Sequence, residues 1–380
     1  MCCNMRCLLI YRFPHHHVMM DKMADLLTAN GVVTDVFCMK TYTFTNNSKT
    51  FWGAIANKYL GKILSVRPYK LRIFMMMVFR KVVLKKMLSK YDKIDFHSYY
   101  IDLHEMMHYC ISHQIPYDIT LWGSDILRAD ASLLAKMRFG FEHCAYIKGI
   151  DKLLEKVSLT YSYQYDDKLL PAYFGDAMCE VIDSISPQNI ERLNKALFHK
   201  SKGKLIVTCG YNAMPAQQHK MMIRALNGLE TRCKNMIFLN FLMTYEKSDS
   251  YIKEIDKLLD QTGIDYQIME HFLTEEELAV VRIKSDITIN TQTTDALAAA
   301  LLQHLYCGNV LIVGNWLEYK PFDDRGIFYI KCTEDELMSK VSDVIDNYSE
   351  YKLLTNDNRS KLRDLASWNA VIQQWMKAFN

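Results

Sequence analysis

Glycine and proline are scarce, at 14 and 7 of 380 residues. An all-β protein built on tight turns needs more of both, so that class is excluded. Long apolar runs are missing too. The run at residues 73–79 stops after seven residues, far short of the roughly 20 that span a bilayer. The 11 cysteines are odd in number and contain no Cys-x-x-Cys pair, which excludes an orderly disulfide framework and points to reduced, mostly buried thiols. Cys2, Cys3 and Cys7 with the histidines at 15–17 have the wrong spacing for a structural zinc site. Neither the P-loop pattern nor Gly-x-Gly-x-x-Gly occurs, which counts against kinase, ATPase and dehydrogenase readings. No secretory leader is visible: the apolar residues 7–13 are few and read as an ordinary strand.

What is present is ample core material. Half of the residues are hydrophobic and 12% aromatic, enough for two buried cores and too many for general disorder. The length fits two α/β domains of roughly 150–200 residues each. A strand at 7–13, a helix at 18–29 stopped by Asn30-Gly31, and a strand at 32–37 make a βαβ opening. Strands at 93–96 and 117–122 extend that sheet, with a helix at 103–113 between them. A second alternation begins after a linker helix at 187–201. Its strands are expected at 204–208, 236–242, 265–269, 287–290, 310–313 and 328–330, and its helices at 217–227, 248–262, 275–283, 295–306 and 334–347. Short connections between alternating elements are what a parallel, doubly wound sheet requires.

Acidic residues are nearly missing from residues 51–93, which hold eleven Lys or Arg and one acid, Asp92. Aromatic and Met side chains interleave with these cations. Such a segment suits an anionic membrane surface; it also suits nucleic acid, or a solvated helix over ordinary buried Met and Phe.

Polar clusters occur where strands hand over to helices. Gly210-Tyr211-Asn212 follows the strand at 204–208 and leads to Gln217-Gln218-His219-Lys220 at a helix start. Backbone amides at such a turn can hold a diphosphate, with His219, Lys220 or Arg224 adding positive charge. An ordinary βα turn reads the same way. The polar run Asn290-Thr291-Gln292-Thr293-Thr294-Asp295 ends the strand at 287–290 and leads into a helix, with Thr293 or Thr294 as N-cap. Asp295 and Gln303 are eight residues apart, near one face of a helix; alternatively Asp295 serves the helix dipole and Gln303 is solvated. Trp122-Gly123-Ser124-Asp125 ends a strand of the first sheet. There Asp125 is a candidate general base or simply part of a helix cap. His16, with His15 and His17, follows the first strand and is a candidate base, as is His97.

The stretch 285–319 resembles the C-terminal domain of GT-B-fold glycosyltransferases of bacterial surface-polysaccharide pathways. In many retaining members a Glu, seven residues and a second Glu lead into a Gly and a buried strand. Here Asp295, seven residues and Gln303 lead into Cys307-Gly308-Asn309 and the run 310–313. The resemblance implies Asp295 near the donor sugar or its phosphates, as a catalytic-site residue, and Gln303 on the ribose hydroxyls. It implies backbone contacts to the base from Phe272 and Leu273, and a closing helix at Ser367-Trp368 that crosses back to the first domain. The Gly210 loop with Gln218-His219 is similar to enzymes that transfer an N-acetylated fucosamine to a lipid-linked acceptor.

Together these features set the expectations. The fold is α/β, with two Rossmann-like domains facing across a cleft. Residues 1–185 bind the acceptor and 186–355 the nucleotide sugar, and 356–380 form the crossover helix. The activity is metal-independent transfer of a sugar from a nucleotide diphosphate sugar to a glycan, lipid-linked at the cytoplasmic face of the membrane, where 51–93 docks peripherally. No cofactor is implied, and nucleic acid is not the expected partner. A nucleotide-sugar epimerase of the same fold is the alternative.

Overall fold

The computed structural model describes residues 5–12, 17–39, 43–44, 71, 85–100, 103–176, 178–245 and 248–379. His16 and most of the basic segment 51–93 lie outside them. The chain divides into two compact units, Met1–Gly175 with Val371–Asn380, and Asp176–Ala370. Each has the expected α/β construction.

In the first unit the strands are β1 (Met5–Tyr11), β2 (Val32–Cys38), β3 (Thr43–Phe44), β4 (Lys93–His97), β5 (Tyr117–Thr120), β6 (Ile147–Gly149) and β7 (Leu169–Pro171). They lie in the order β3-β2-β1-β4-β5-β6-β7, parallel except for the antiparallel edge β3. Central β1 is apolar on both faces, as a strand covered by helices on each side must be.

Strand β4 is different. Lys93, Asp95 and His97 alternate with Ile94 and Phe96, a pattern that normally turns its charges to water. Here all five residues are buried. Asp95 lies opposite Asp118 of β5, and Lys148 of β6 bridges the two carboxylates. Lys93 reaches Asp118 at 3.0 Å, and His97 reaches Asp95 at 3.3 Å. The C-terminal residues roof this ladder. The Trp375 ring is 5.2 Å from the Lys148 ammonium and stacks on His97, and Lys93 donates to the Ala378 carbonyl at 2.5 Å. Lys93 therefore belongs to the interior rather than to a basic surface.

In the second unit the strands are β8 (Leu205–Cys209), β9 (Ile237–Leu242), β10 (Tyr266–Met269), β11 (Ile287–Asn290), β12 (Val310–Gly314) and β13 (Ile330–Cys332). Their order is β10-β9-β8-β11-β12-β13, all parallel. The chain moves outward on one side of β8, then restarts at β11 on its other side. This reversal opens a crevice at the carboxyl ends of β8 and β11. The helix Asp249–Asp260 buries Tyr251, Ile252, Ile255 and Leu259 along one stripe. Thr274 and Glu277 form a reciprocal capping box that starts the helix Glu275–Lys284.

Residues 176–185, expected with the first domain, belong to the second unit. Asp183 accepts from Tyr306 at 2.7 Å and from Arg363 at 2.9 Å, which ties this segment to the later helices. The final stretch is likewise divided, with 371–380 joining the first unit. No helix among the described residues is long and apolar enough to cross a membrane. The described cysteines are all free, and most are buried.

Candidate functional site

At the carboxyl edge of β8 the chain turns through Gly210, whose φ is +66°. A Cβ there would stand 2.9 Å from the His219 ring, so both backbone and space require glycine. The Gly210 amide donates to the Ile289 carbonyl of neighbouring β11 at 3.1 Å. It is thereby spent on the sheet rather than held open for an anion. Asn212 is buried, and its side chain accepts from the Met214 amide at 2.9 Å.

The loop after β11 meets the loop after β8 through several bonds. Thr293 donates its amide to the Ala216 carbonyl at 2.9 Å, and Gln218 donates to the Thr291 carbonyl at 2.6 Å. Tyr211 Oη and Gln217 Nε2 both donate to Gln292 Oε1, at 2.8 and 3.1 Å. Trp316 lies over Gly314, where a Cβ would overlap its ring, and donates to the Gln292 carbonyl at 2.9 Å. Gly210, Tyr211, Asn212 and the 291–295 loop thus share one rim.

Asp295 sits in this rim, 7% exposed. Its Oδ2 accepts from the Tyr319 hydroxyl at 2.6 Å and from the Ala298 amide at 3.2 Å. Asn290 donates in turn to the Tyr319 oxygen at 3.2 Å. Burial first, and then the Asp295 charge, push the Tyr319 hydroxyl well above its ordinary value, so it remains a donor. The helix expected from residue 295 begins only at Ala299, running Ala299–Tyr306. The Asp295 carboxylate captures a backbone amide that a longer helix would use, a competition typical of Asp. Neither Thr293 nor Thr294 caps this helix; its N-terminus has no side-chain cap.

Several expected contacts change character. His219 is buried against Tyr251 and Phe241, and burial pulls its pKa down to about 4. It is neutral at pH 7 and adds no positive charge. Lys220 pairs with Glu254 at 2.6 Å, and Arg224 with Glu334 at 2.9 Å. Phe272 is 72% exposed while Leu273 is buried in the core. Both follow β10, an edge strand separated from β8 by β9.

Gln303 is not on a shared helix face with Asp295, because Asp295 precedes the helix. Its carbonyl accepts from Arg282 at 3.0 Å, and its amide donates to Asp176 at 3.3 Å. Its amide is committed to the interior of the unit. Burial pulls Arg282 down to about 10, so it stays charged. Burial also raises Asp176 to about 6, against the opposing bonds from Met178 and Gln303. The folded state therefore holds this proton more tightly than the unfolded chain, whose value is near 3.8. The resulting stability is full below pH ~4 and lost as pH rises through ~6. Asp176→Asn should flatten that part of the profile; denaturant melts at pH 4, 5, 6 and 7 check it.

In the first unit, Asp125 is buried and accepts from the backbone amides of Tyr99, Trp122 and Gly123 at 2.9–3.2 Å. Burial raises its pKa, and these amides pull it back. Its geometry is that of a carboxylate organising the turn at Gly123, whose φ is +110°. His97 is enclosed by Trp122, Phe174 and Trp375. Among the described residues, no group of three or more His, Cys, Asp or Glu can hold a metal ion.

Gln217, Asn290 and Gln292, which stand in the two polar stretches at these strand ends, complete the rim together with Trp316 and Tyr319, to which the sequence assigned no role. Their signal was position alone: all follow or end strands on the carboxyl side, where doubly wound sheets bind ligands.

No protein-family model and no curated protein sequence matches the chain. Solved structures do. The chain is similar to Anabaena HepE in complex with UDP and glucose, with a TM-score of 0.69, 12% identity and 99% of each chain covered. It is similar to sucrose-phosphate synthase of Thermosynechococcus elongatus, with a TM-score of 0.69, 12% identity, and 99% and 98% covered. It also resembles UDP-GlcNAc 2-epimerase of Neisseria meningitidis bound to UDP-GlcNAc, at 0.60, 12%, and 98% and 100%. The shared feature at this identity is the fold, the two-sheet α/β architecture of GT-B proteins.

Proposed function

We propose that the protein is a glycosyltransferase whose second unit holds a nucleotide diphosphate sugar. The carrying observation is the rim where β8 and β11 part. There Asp295 is fixed by Tyr319 beside a helix N-terminus that no side chain caps. An uncapped helix start presents backbone N–H groups and positive dipole to an anion. A departing diphosphate is stabilised by such fixed dipoles without proton transfer. The Asp295 carboxylate would stand by the sugar rather than the phosphates. Two of the similar structures hold UDP with glucose or UDP-GlcNAc, which supports the ligand class.

The acceptor in this reading is a glycan, lipid-linked in surface-polysaccharide synthesis, taken by the first unit. The basic segment 51–93 would dock at the inner face of the cell membrane. Transfer would proceed without a bound metal.

A thermal-shift panel of UDP, GDP, ADP, CDP and dTDP tests the reading. One diphosphate at about 100 times its Kd should stabilise the fold by about 2.7 kcal/mol and raise the melting point by several degrees. A panel with no shift overturns the proposal. The epimerase in the comparison favours one second reading, in which the same rim isomerises a nucleotide sugar. Incubation with a nucleotide sugar alone separates the two: a changed sugar without acceptor selects the epimerase.

A further inference from the structure

Among the buried side-chain atoms that meet no hydrogen-bonding partner among the described residues are Gln292 Nε2 and Asn290 Oδ1, both in the rim, and His219 Nε2 beneath Gly210. Unpaired buried polar groups cost free energy, and each calls for an explanation. The identities of the two rim atoms follow from the network. The Tyr211 backbone N–H is a donor that cannot be exchanged, and it donates to Gln217 Oε1 at 3.3 Å. Gln217 must then present Nε2 to Gln292. The atom of Gln292 facing it is therefore Oε1, which also accepts from the Tyr211 hydroxyl. That leaves the Gln292 amine as a donor without an acceptor. Asn290 donates its amine to Tyr319, leaving its carbonyl as an acceptor without a donor.

We infer that Gln292 and Asn290 read the hydroxyls of the sugar carried by the donor, an inference that rests on the glycosyltransferase reading. One orphan is a donor and the other an acceptor. A phosphate near neutral pH offers acceptors above all, so it satisfies Gln292 and leaves Asn290 unpaired. A hydroxyl both donates and accepts, so a polyol satisfies both. Charge points the same way. The side chains bonded to them, or to those partners, are neutral or acidic: Tyr211, Gln217, Tyr319 and Asp295. A carboxylate repels a diphosphate and accepts from a sugar hydroxyl. Both atoms are shut off from water in this state, so the sugar displaces a covering group to reach them. Trp316, 37% exposed and bonded to the Gln292 backbone, is the most open member of the network.

The test compares Gln292→Met with wild type by titration calorimetry. The probes are the diphosphate giving the largest melting shift in the panel above and its glucose ester. The variant should bind the free diphosphate within about twofold of wild type and the glucose ester about tenfold more weakly, the worth of one hydrogen bond. Should Gln292→Met fail to fold, the wild-type protein is titrated instead with monodeoxy esters of the same diphosphate; at least one should bind about tenfold more weakly than the glucose ester, and equal binding of all of them overturns the inference. Equal binding of both probes by variant and wild type overturns the inference and leaves the glycosyltransferase reading standing. So does an equal loss of both, which would make Gln292 a brace for the loops. A wild-type chain that binds neither probe overturns both.

Discussion

Lys148→Met should destabilise the first unit by about 3–5 kcal/mol, the usual cost of removing one partner from a buried ion pair. Lys148 is completely buried and reaches both Asp95 and Asp118. Burial alone would lower its pKa, but Asp118 and Asp95 outweigh that and hold it protonated. Without it, Lys93 still pairs with Asp118. Asp95 keeps only the Thr120 hydroxyl and His97. A carboxylate so placed must either take up a proton or pull in water, and both reduce stability. Methionine preserves much of the side-chain volume under Trp375, so the loss reports charge more than cavity. At roughly 2–4 °C per kcal/mol for a domain of this size, the melting point should fall by about 6–20 °C. Adding Asp95→Asn to Lys148→Met should recover part of the loss, because it removes the stranded charge. If the double variant is no more stable than the single, the ladder is not held by charge balance and packing beneath Trp375 carries it instead.

That ladder also marks the limit of what the sequence discloses. Residues 93–96 were legible as a strand of the first sheet, but alternating charges ordinarily face water, and Lys93 counted toward the basic segment. Nothing local says that Trp375 and Ala378, more than 200 residues later, cover that face. By contrast, apolar β1 and the regular alternation after residue 204 announce parallel sheets through composition and spacing alone. β6 and β7 escaped notice because three residues carry too little periodicity. In the rim, Gly210 and Asp295 were legible from their places after strands. Gln292 stood in the same polar run as Asp295, but its bonds to the other loop, 81 and 75 residues away, were not legible, and neither was Tyr319, 24 residues from Asp295. The helix at Ala299 was expected four residues early, since helix propensity in the alanine-rich run does not register Asp295 taking the Ala298 amide.

On the proposed glycosyltransferase reading, Asp295→Asn should lower sugar transfer by on the order of 10²-fold, comparable to deleting one preorganised electrostatic contact to a transition state. The substitution keeps the shape and leaves Oδ1 or its equivalent to accept from Tyr319 and the Ala298 amide, so the rim should persist and the melting point should change little. What disappears is the charge a carboxylate can carry, at a buried position where fields are strong. In a transfer reaction, positive charge builds on the sugar as the diphosphate departs, and a carboxylate on the sugar side stabilises that state more than the bound donor. Only such differential stabilisation raises turnover. The signature should be a fall in kcat with donor Kd changed by no more than a few-fold. A fall in donor affinity that accounts for the whole effect would make Asp295 a binding residue. Wild-type turnover would remove it from the chemistry altogether, leaving its bonds to Tyr319 and Ala298 as a means of shaping the helix start.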